Sequence, residues 1–148
     1  MEKTLILLKS DALERGLAGV ILARFEVANL RIVNLEYRLP SRSQMEQHYA
    51  DLKERNPRAF QRNVRYMANK PVIAVVLAGA NAVQKARALV GPTEPSSAPP
   101  GTIRGDFSSD TISLADAQNR SLFNLVHAAD SVDSARNEIA LWFSPEET

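Results

Sequence analysis

The sequence predicts an α+β fold of the βαββαβ kind, on three observations. Two short runs, Thr4–Lys9 (TLILLK) and Val72–Ala78, are apolar almost throughout, as strands buried by other elements are. A third run, Leu30–Leu39, alternates and stops at Pro40, as a strand does. Apolar residues between these runs recur at helical spacing, giving the order strand, helix, strand, helices, strand, helix, strand with short turns. That order matches a ferredoxin-like sandwich: a four-stranded antiparallel sheet with helices packed on it, against one face.

Each element has its own signal. After Thr4–Lys9 comes a turn around Asp11–Gly16, then a helix carried by Leu17, Ile21, Phe25 and Ala28. Asn29 ends it where a left-handed residue is wanted, a place Asn takes when Gly does not. In Leu30–Leu39, Val33, Leu35 and Tyr37 fall on one side and Ile32, Asn34, Glu36 and Arg38 on the other. The polar stretch Ser41–Asn69 is helical in two pieces, broken at Asn56-Pro57. Pro71 opens the third strand, and Asn81 is placed to cap a helix with Ala82, Val83, Ala86, Leu89 and Val90 on one face. Gly91–Gly101 holds four of the eight prolines and reads as a stiff irregular loop. Ser108–Ser121 is polar and has no clear period. Phe123–His127 is a short strand, and Ser131 caps a last helix, Val132–Phe143, with Val132, Ala135, Ile139 and Trp142 as its stripe.

Composition excludes several functions. The chain has 148 residues, 45% of them hydrophobic and 24% charged, which is one globular domain, expected to span 1–148. Eighteen basic against seventeen acidic residues leave +1, so binding of nucleic acid through bulk charge is not expected. With no cysteine there is no disulfide, thiolate nucleophile or cysteine zinc site, and with two histidines a multi-histidine metal site is nearly excluded. No apolar run approaches membrane-spanning length, and Met1–Thr4 leads into a strand without the features of a signal peptide. A soluble cytoplasmic protein with no membrane partner is the expectation.

Candidate chemistry gathers late in the chain. His127 ends a strand just before a helix N-terminus, an environment that attracts phosphates, and a neutral imidazole attacks phosphorus without a separate base. Glu138 falls inside the apolar arc of the last helix, between Leu141 on one side and Ala135 and Trp142 on the other. Two readings stay open for it: a buried carboxylate orienting His127, or a residue that flanks the stripe and reaches water. Lys9 ends the first strand, Arg87 lies beside an apolar helix face, and Arg104 stands between Gly101 and Gly105, which would let backbone approach a ligand. Converging cations suit a triphosphate, and as cleft residues they are expected to matter little for folding. His48 lies in a polar stretch with no anion-binding context and is expected to be dispensable. P-loop and protein-kinase motifs are absent.

At these residues the chain resembles the nucleoside diphosphate kinase family, from Thr4 to Glu147. Gly101–Phe107 (GTIRGDF), Asn124–Ser131 (NLVHAADS) and Ala135–Phe143 carry the likeness. The resemblance implies that the γ-phosphate of a nucleoside triphosphate passes to a histidine and then to a nucleoside diphosphate. His127 is the implied nucleophile, phosphorylated on its pros nitrogen, and Glu138 orients it. Lys9, Tyr49, Phe60, Arg87, Thr93, Arg104 and Asn124 are the implied binders of phosphate, ribose and base, with Lys9 also assisting catalysis. Mg²⁺ is implied as cofactor, held by nucleotide phosphates rather than by protein ligands, and a homo-oligomer is implied as the assembly.

The chain departs from the family pattern at Ser10 in place of proline, at Ala129 in place of serine, and across Asn56–Gln61, where Phe60 is the candidate base-stacking aromatic. Residues 108–121 form an insertion, expected at the mouth of the nucleotide site. Two other classes compete. An RNA-binding βαββαβ module would show aromatics on its central strands, and TLILLK and VIAVVLA have none. An inactive, nucleotide-binding relative would owe its inactivity to the insertion or to Ala129.

Overall fold

Strand β1 (Glu2–Leu8) pairs antiparallel on both sides, so it lies inside the sheet. With β2 (Arg31–Arg38), β3 (Val72–Gly79) and β4 (Val126–Ala128) it makes a four-stranded antiparallel sheet in the order β2-β3-β1-β4. The computed structural model describes residues 1–143, and the end of the expected unit, 144–148, lies outside the described residues.

The register explains why β1 and β3 are apolar throughout. Leu5 faces Val76 and Leu7 faces Ala74, while Ile6 faces Val75 and Leu8 faces Ile73 on the opposite side. The first set packs with Met45 of α3 (Arg42–His48), with Phe60, Val64 and Met67 of α5 (Pro57–Met67), and with Trp142 of α9 (Val132–Trp142). The second set packs with Ile21 and Phe25 of α2 (Ala18–Val27) and with Ala82, Ala86 and Val90 of α6 (Ala82–Val90). Helices therefore cover both faces, not the one expected. A strand apolar at every position needs cover on both sides, and the sequence held that signal.

Several boundaries differ from expectation for local reasons. The turn after β1 contains a short helix, α1 (Ser10–Glu14), with Lys9 at its N-cap. Ser10 Oγ donates to the Pro71 carbonyl at 2.8 Å, fixing α1 to the start of β3. The stretch before β3 holds three helices, because Tyr49 separates α3 from α4 (Ala50–Arg55) before Pro57 begins α5. Asn29 is left-handed as expected, at φ 66°. Asn81 is left-handed too and makes no side-chain cap; Glu2 Oε2 accepts the Val83 N–H instead, at 2.9 Å. The Gly91–Gly101 loop contains one 3₁₀ turn, Pro95–Ser97. Two short helices follow, α7 (Ile103–Phe107) and α8 (Ile112–Ala117), the latter within the polar stretch that showed no period. In the last helix, Ser131 Oγ accepts the Ser134 N–H as expected, but Val132 is exposed and leaves the stripe.

The final strand is shorter than its apolar run. Leu125 sits at φ 72°, a conformation rare for a branched side chain, so Phe123–Leu125 leave the ladder and only Val126–Ala128 pair with β1. Two bonds over-determine this kink. Lys9 N–H donates to the Leu125 carbonyl at 2.8 Å, and Asp11 Oδ2 accepts the Leu125 N–H at 3.0 Å.

Gly105 is needed for backbone approach, though to protein rather than to ligand. A Cβ there would lie 2.1 Å from the Pro99 carbonyl oxygen and 2.8 Å from that of Ala98. Neither is the end of a flexible side chain, so α7 itself would have to move. Gly105→Ala should lower unfolding free energy by at least about 1–3 kcal/mol, the usual cost of overpacking. Urea denaturation checks this, and an unchanged midpoint would contradict the close approach.

Candidate active site

The register of β4 aims the site. His127 lies opposite Leu7, so its side chain emerges on the face covered by α3, α5 and α9. Glu138 stands on α9, and its Oε1 is 2.6 Å from His127 Nε2. Both side chains are mostly buried, at 22% and 15% exposure, so Glu138 faces the histidine rather than water.

Charge and burial set the protonation of this pair. Burial, with the nearby cations of Lys9 and Arg104, pushes His127 down to about 3, so the ring is neutral near pH 7. Burial raises Glu138 to about 7, with Asp130 and Asp51 adding to the rise and His48 opposing it. When Glu138 is ionised it can only accept, so His127 carries its proton on Nε2 and donates it to Oε1. Nδ1 then holds the lone pair. The arrangement makes a neutral nitrogen nucleophile without a separate base.

Cations surround this pair. Lys9 is buried and its Nζ donates to Asn124 Oδ1 at 2.8 Å and to the Leu122 carbonyl at 3.1 Å. Burial, reinforced by Arg104, lowers it to about 8 against the opposing pull of Asp11. Asn124 also donates through Nδ2 to the Thr93 carbonyl at 3.0 Å. Arg87 is exposed and its Nη1 reaches the Ala128 carbonyl at 3.4 Å. A cleft of about 960 Å³ is lined by Lys9, Tyr49, Arg87, Thr93, Arg104, Asn124, His127 and Glu138 together. Eight of the nine site residues expected from the sequence thus share one cavity.

Phe60 is the exception. It is 7% exposed and packs into the core with Val64, Met67 and Trp142, while its neighbours Arg58, Ala59 and Arg62 line the cleft. The helical turn of α5 puts Phe60 on the sheet-facing side, so it is a core residue and not a wall for a base. Beside these neighbours of Phe60, Ile112, Ala115, Asp116, Arg120 and Ser121 bring residues 108–121 into the lining of the cleft. This segment is firmly tied rather than loose. Arg62 pairs with Asp116 and donates to Asn119 Oδ1 at 3.2 Å, Ser121 Oγ is 2.6 Å from Asn63 Oδ1, and Arg120 grips Asp110 through two bonds.

Arg104 differs from the cleft cation expected. It is 9% exposed, and its guanidinium donates to the carbonyls of Asn124 (3.1 Å), Gly91 (3.0 Å) and Val126. Burial, then Arg87, lowers it only to about 10, so it stays charged. The side chain holds the strand of His127 to the loop after α6, a structural task.

Sequence reasoning missed His48. Its ring meets His127 edge-on, centroids 4.5 Å apart, and Trp142 Nε1–H donates to its Nδ1 at 3.1 Å. No local signal marks it, since it is brought in by packing of α3 on α9. Among the described residues, His48, His127 and Glu138 are the one His/Cys/Asp/Glu group close enough to share an ion, with candidate atoms within 4.8 Å. The hydrogen bonds argue against a metal there. His48 uses the Nδ1 lone pair on Trp142 and carries its proton on Nε2, and His127 Nε2 is engaged by Glu138. Asp11 was also missed; it sits beneath the site as acceptor for Leu125.

Arg104→Ala should therefore destabilise the fold as well as reduce activity. Carbonyls left unpaired cost about 1–3 kcal/mol each, so a loss of about 3 kcal/mol or more is expected. Thermal melting followed by circular dichroism measures it, and a variant of unchanged Tm would show the guanidinium to be an ordinary cleft cation.

Comparison with known proteins agrees with the geometry. Residues 2–148 match the family model "Nucleoside diphosphate kinase". A nucleoside diphosphate kinase of Pyrobaculum aerophilum is 42% identical, covering 99% of this chain and 97% of its own. Human nucleoside diphosphate kinase A is also 42% identical, covering 99% of this chain and 88% of its own. Among solved structures, the Borrelia burgdorferi nucleoside-diphosphate kinase with bound vanadate and ADP, a transition-state mimic, superposes with a TM-score of 0.95. It is 34% identical over 98% of this chain and 88% of its own. An NDP kinase from Pyrobaculum aerophilum gives 0.91 at 38% identity, over 99% and 97%. With whole-length likeness in sequence and fold, the chain belongs to the nucleoside diphosphate kinase family, whose members move phosphate from a nucleoside triphosphate to a nucleoside diphosphate.

Proposed function

We propose that this phosphotransfer runs in two steps through a phosphohistidine on His127. The single observation that carries the proposal is the 2.6 Å contact between His127 Nε2 and Glu138, which leaves Nδ1 with the lone pair inside a cationic cleft. In the first step, the Nδ1 lone pair forms a bond to the γ-phosphorus. The bond from phosphorus to the β-bridging oxygen breaks, and its electrons leave with the nucleoside diphosphate. The imidazolium so formed keeps its Nε2 proton against the Glu138 carboxylate. In the second step an oxygen of an incoming nucleoside diphosphate attacks the same phosphorus, and Nδ1 recovers its electron pair.

The remaining residues bind and stabilise. Lys9, Arg87 and Arg104 are the cations for triphosphate oxygens and the transferring phosphoryl group. Tyr49, Thr93 and Asn124 contribute the polar lining beside them. Mg²⁺ prefers oxygen ligands; of the carboxylates lining the cleft, Glu138 is engaged by His127 and Asp116 by Arg62, and Asp51 and Asp130 are the others. Beside the cations of Lys9, Arg87 and Arg104, the ion would enter with the nucleotide and would supply charge neutralisation for its phosphates. Residues 108–121 form a fixed rim that sets nucleotide affinity.

We also read the chain as a single-domain cytoplasmic homo-oligomer. Edge strand β2 exposes Leu35 (42%) and Tyr37 (64%), the kind of apolar edge that pairing with a second copy would cover. The absence of cysteine is compatible with any redox compartment, a reducing one included. Among the described residues no helix is long and apolar enough to cross a membrane.

Incubation with γ-labelled ATP tests the reading. The wild type should take up acid-labile, base-stable label and release it to added nucleoside diphosphate, and His127→Ala should take up none. Label retained by the variant would place the nucleophile elsewhere.

The pH dependence follows from the two shifted groups. Below about 7 Glu138 is protonated, donates to His127 Nε2 and drives the ring proton onto Nδ1, which stops attack. Above about 8 Lys9 loses its charge. The phosphorylation rate should rise through the first value and fall through the second. Glu138→Gln, whose amide oxygen accepts from Nε2 at every pH, should lose the acid limb and run at a lower plateau. A retained acid limb in that variant, read by quenched-flow labelling, would contradict the assignment.

A further inference from the structure

His48 has a chemical task next to the nucleophile. The indole N–H of Trp142 can only donate, so His48 Nδ1 must be the acceptor in their 3.1 Å bond. The neutral imidazole therefore bears its proton on Nε2. Burial, then the neighbouring His127, lowers His48 to about 3, so it stays neutral wherever the protein works. Its Nε2 is buried and has no hydrogen-bond partner. A buried donor left without an acceptor costs free energy, and such a group beside a reactive pair calls for an explanation.

The surroundings supply one. His48 meets His127 edge-on at 4.5 Å and Tyr49 at 4.8 Å, and its candidate ligating atom lies within 4.8 Å of those of His127 and Glu138. Resting on the His127–Glu138 reading above, we propose that His48 is a positioning residue: locked by Trp142, it holds the His127 ring in place, and its Nε2–H dipole favours the ionised Glu138 that keeps Nδ1 of His127 free to attack. A protonated His48 would oppose the imidazolium that forms during transfer, so the neutral, tautomer-fixed ring is the useful form. The other titratable groups facing Glu138 come from several elements: Asp51 from α4, Asp130 from the turn after β4, and the neutral phenol of Tyr49 between α3 and α4. Lys9, Arg87 and Arg104 face His127 from the cleft. The two aspartates raise Glu138.

The role separates from plain packing by its pH signature. In the full-length protein, the single-turnover rate of His127 labelling is measured against pH for the wild type, His48→Phe and His48→Gln. His48→Phe keeps the ring and removes the donor; its acid limb should move up by roughly half to one pH unit, giving roughly a 3–10-fold slower rate on that limb. The nucleotide KM should not change. His48→Gln restores an N–H near the Nε2 position and should return the limb toward the wild type. A uniform slowing with the limb unmoved, or no recovery with glutamine, would reduce His48 to a packing residue and overturn the proposal. ¹⁵N spectra of the unaltered chain decide independently of folding in the variants: His48 should show the Nε2–H tautomer, and an Nδ1–H tautomer would overturn the proposal. Parallel labelling of His127→Ala keeps the two readings apart, because label retained there removes the nucleophile assignment itself, whereas its loss alongside an unmoved His48→Phe limb removes only the role of His48.

Discussion

The hydrogen bond between His127 and Glu138 constrains the rest of the site. It requires a carboxylate inside an apolar layer, which is costly unless the group is paired. The fold meets that requirement from two directions. Antiparallel pairing of β4 with β1 sets His127 opposite Leu7 and so on the α9 side of the sheet. The Ser131 cap starts α9 at the right point for Glu138 to come back over the strand. Burial then does chemistry: it holds the imidazole neutral and lifts the carboxyl toward neutrality, so one proton is shared where two charges would otherwise sit. Lys9 and Arg104 bring positive charge to the same place, and that charge further disfavours a protonated ring.

Around this bond, the backbone of 122–126 is held by side chains that also line the cleft. Lys9 takes the Leu122 carbonyl and Asn124, Arg104 takes the carbonyls of Asn124 and Val126, and Asp11 takes the Leu125 N–H. The strained Leu125 persists because these bonds over-determine it. Lining of the cleft and support of its backbone are thus shared by the same cations.

Much of this was legible in the sequence, and the failures have physical causes. TLILLK and VIAVVLA announced central strands, and their unbroken apolarity also announced cover on both faces, a reading the alternation rule alone did not give. His127 was legible from its place between a strand and a capped helix. Glu138 was half legible, because a residue at the margin of a helical stripe faces core or water depending on what lies across from it. The place of His48 beside His127 was not legible at all: it is fixed through Trp142, ninety-four positions away in sequence. Phe60 misled because aromatic character says nothing about which side of α5 a residue takes. The polar, aperiodic stretch 108–121 concealed a short helix, and the segment's anchors, Arg62, Asn63 and Glu94, lie elsewhere in the chain.

The central claim is that Glu138, by holding Nε2, makes Nδ1 the phosphate acceptor. The most direct measurement is ³¹P and ¹⁵N NMR of the phosphoenzyme, which distinguishes the two phosphohistidine isomers. Phosphate on Nδ1 of His127, with the Nε2 proton retained, is the expected result. Phosphate on Nε2 would mean that the His127–Glu138 bond breaks before transfer and would contradict the account.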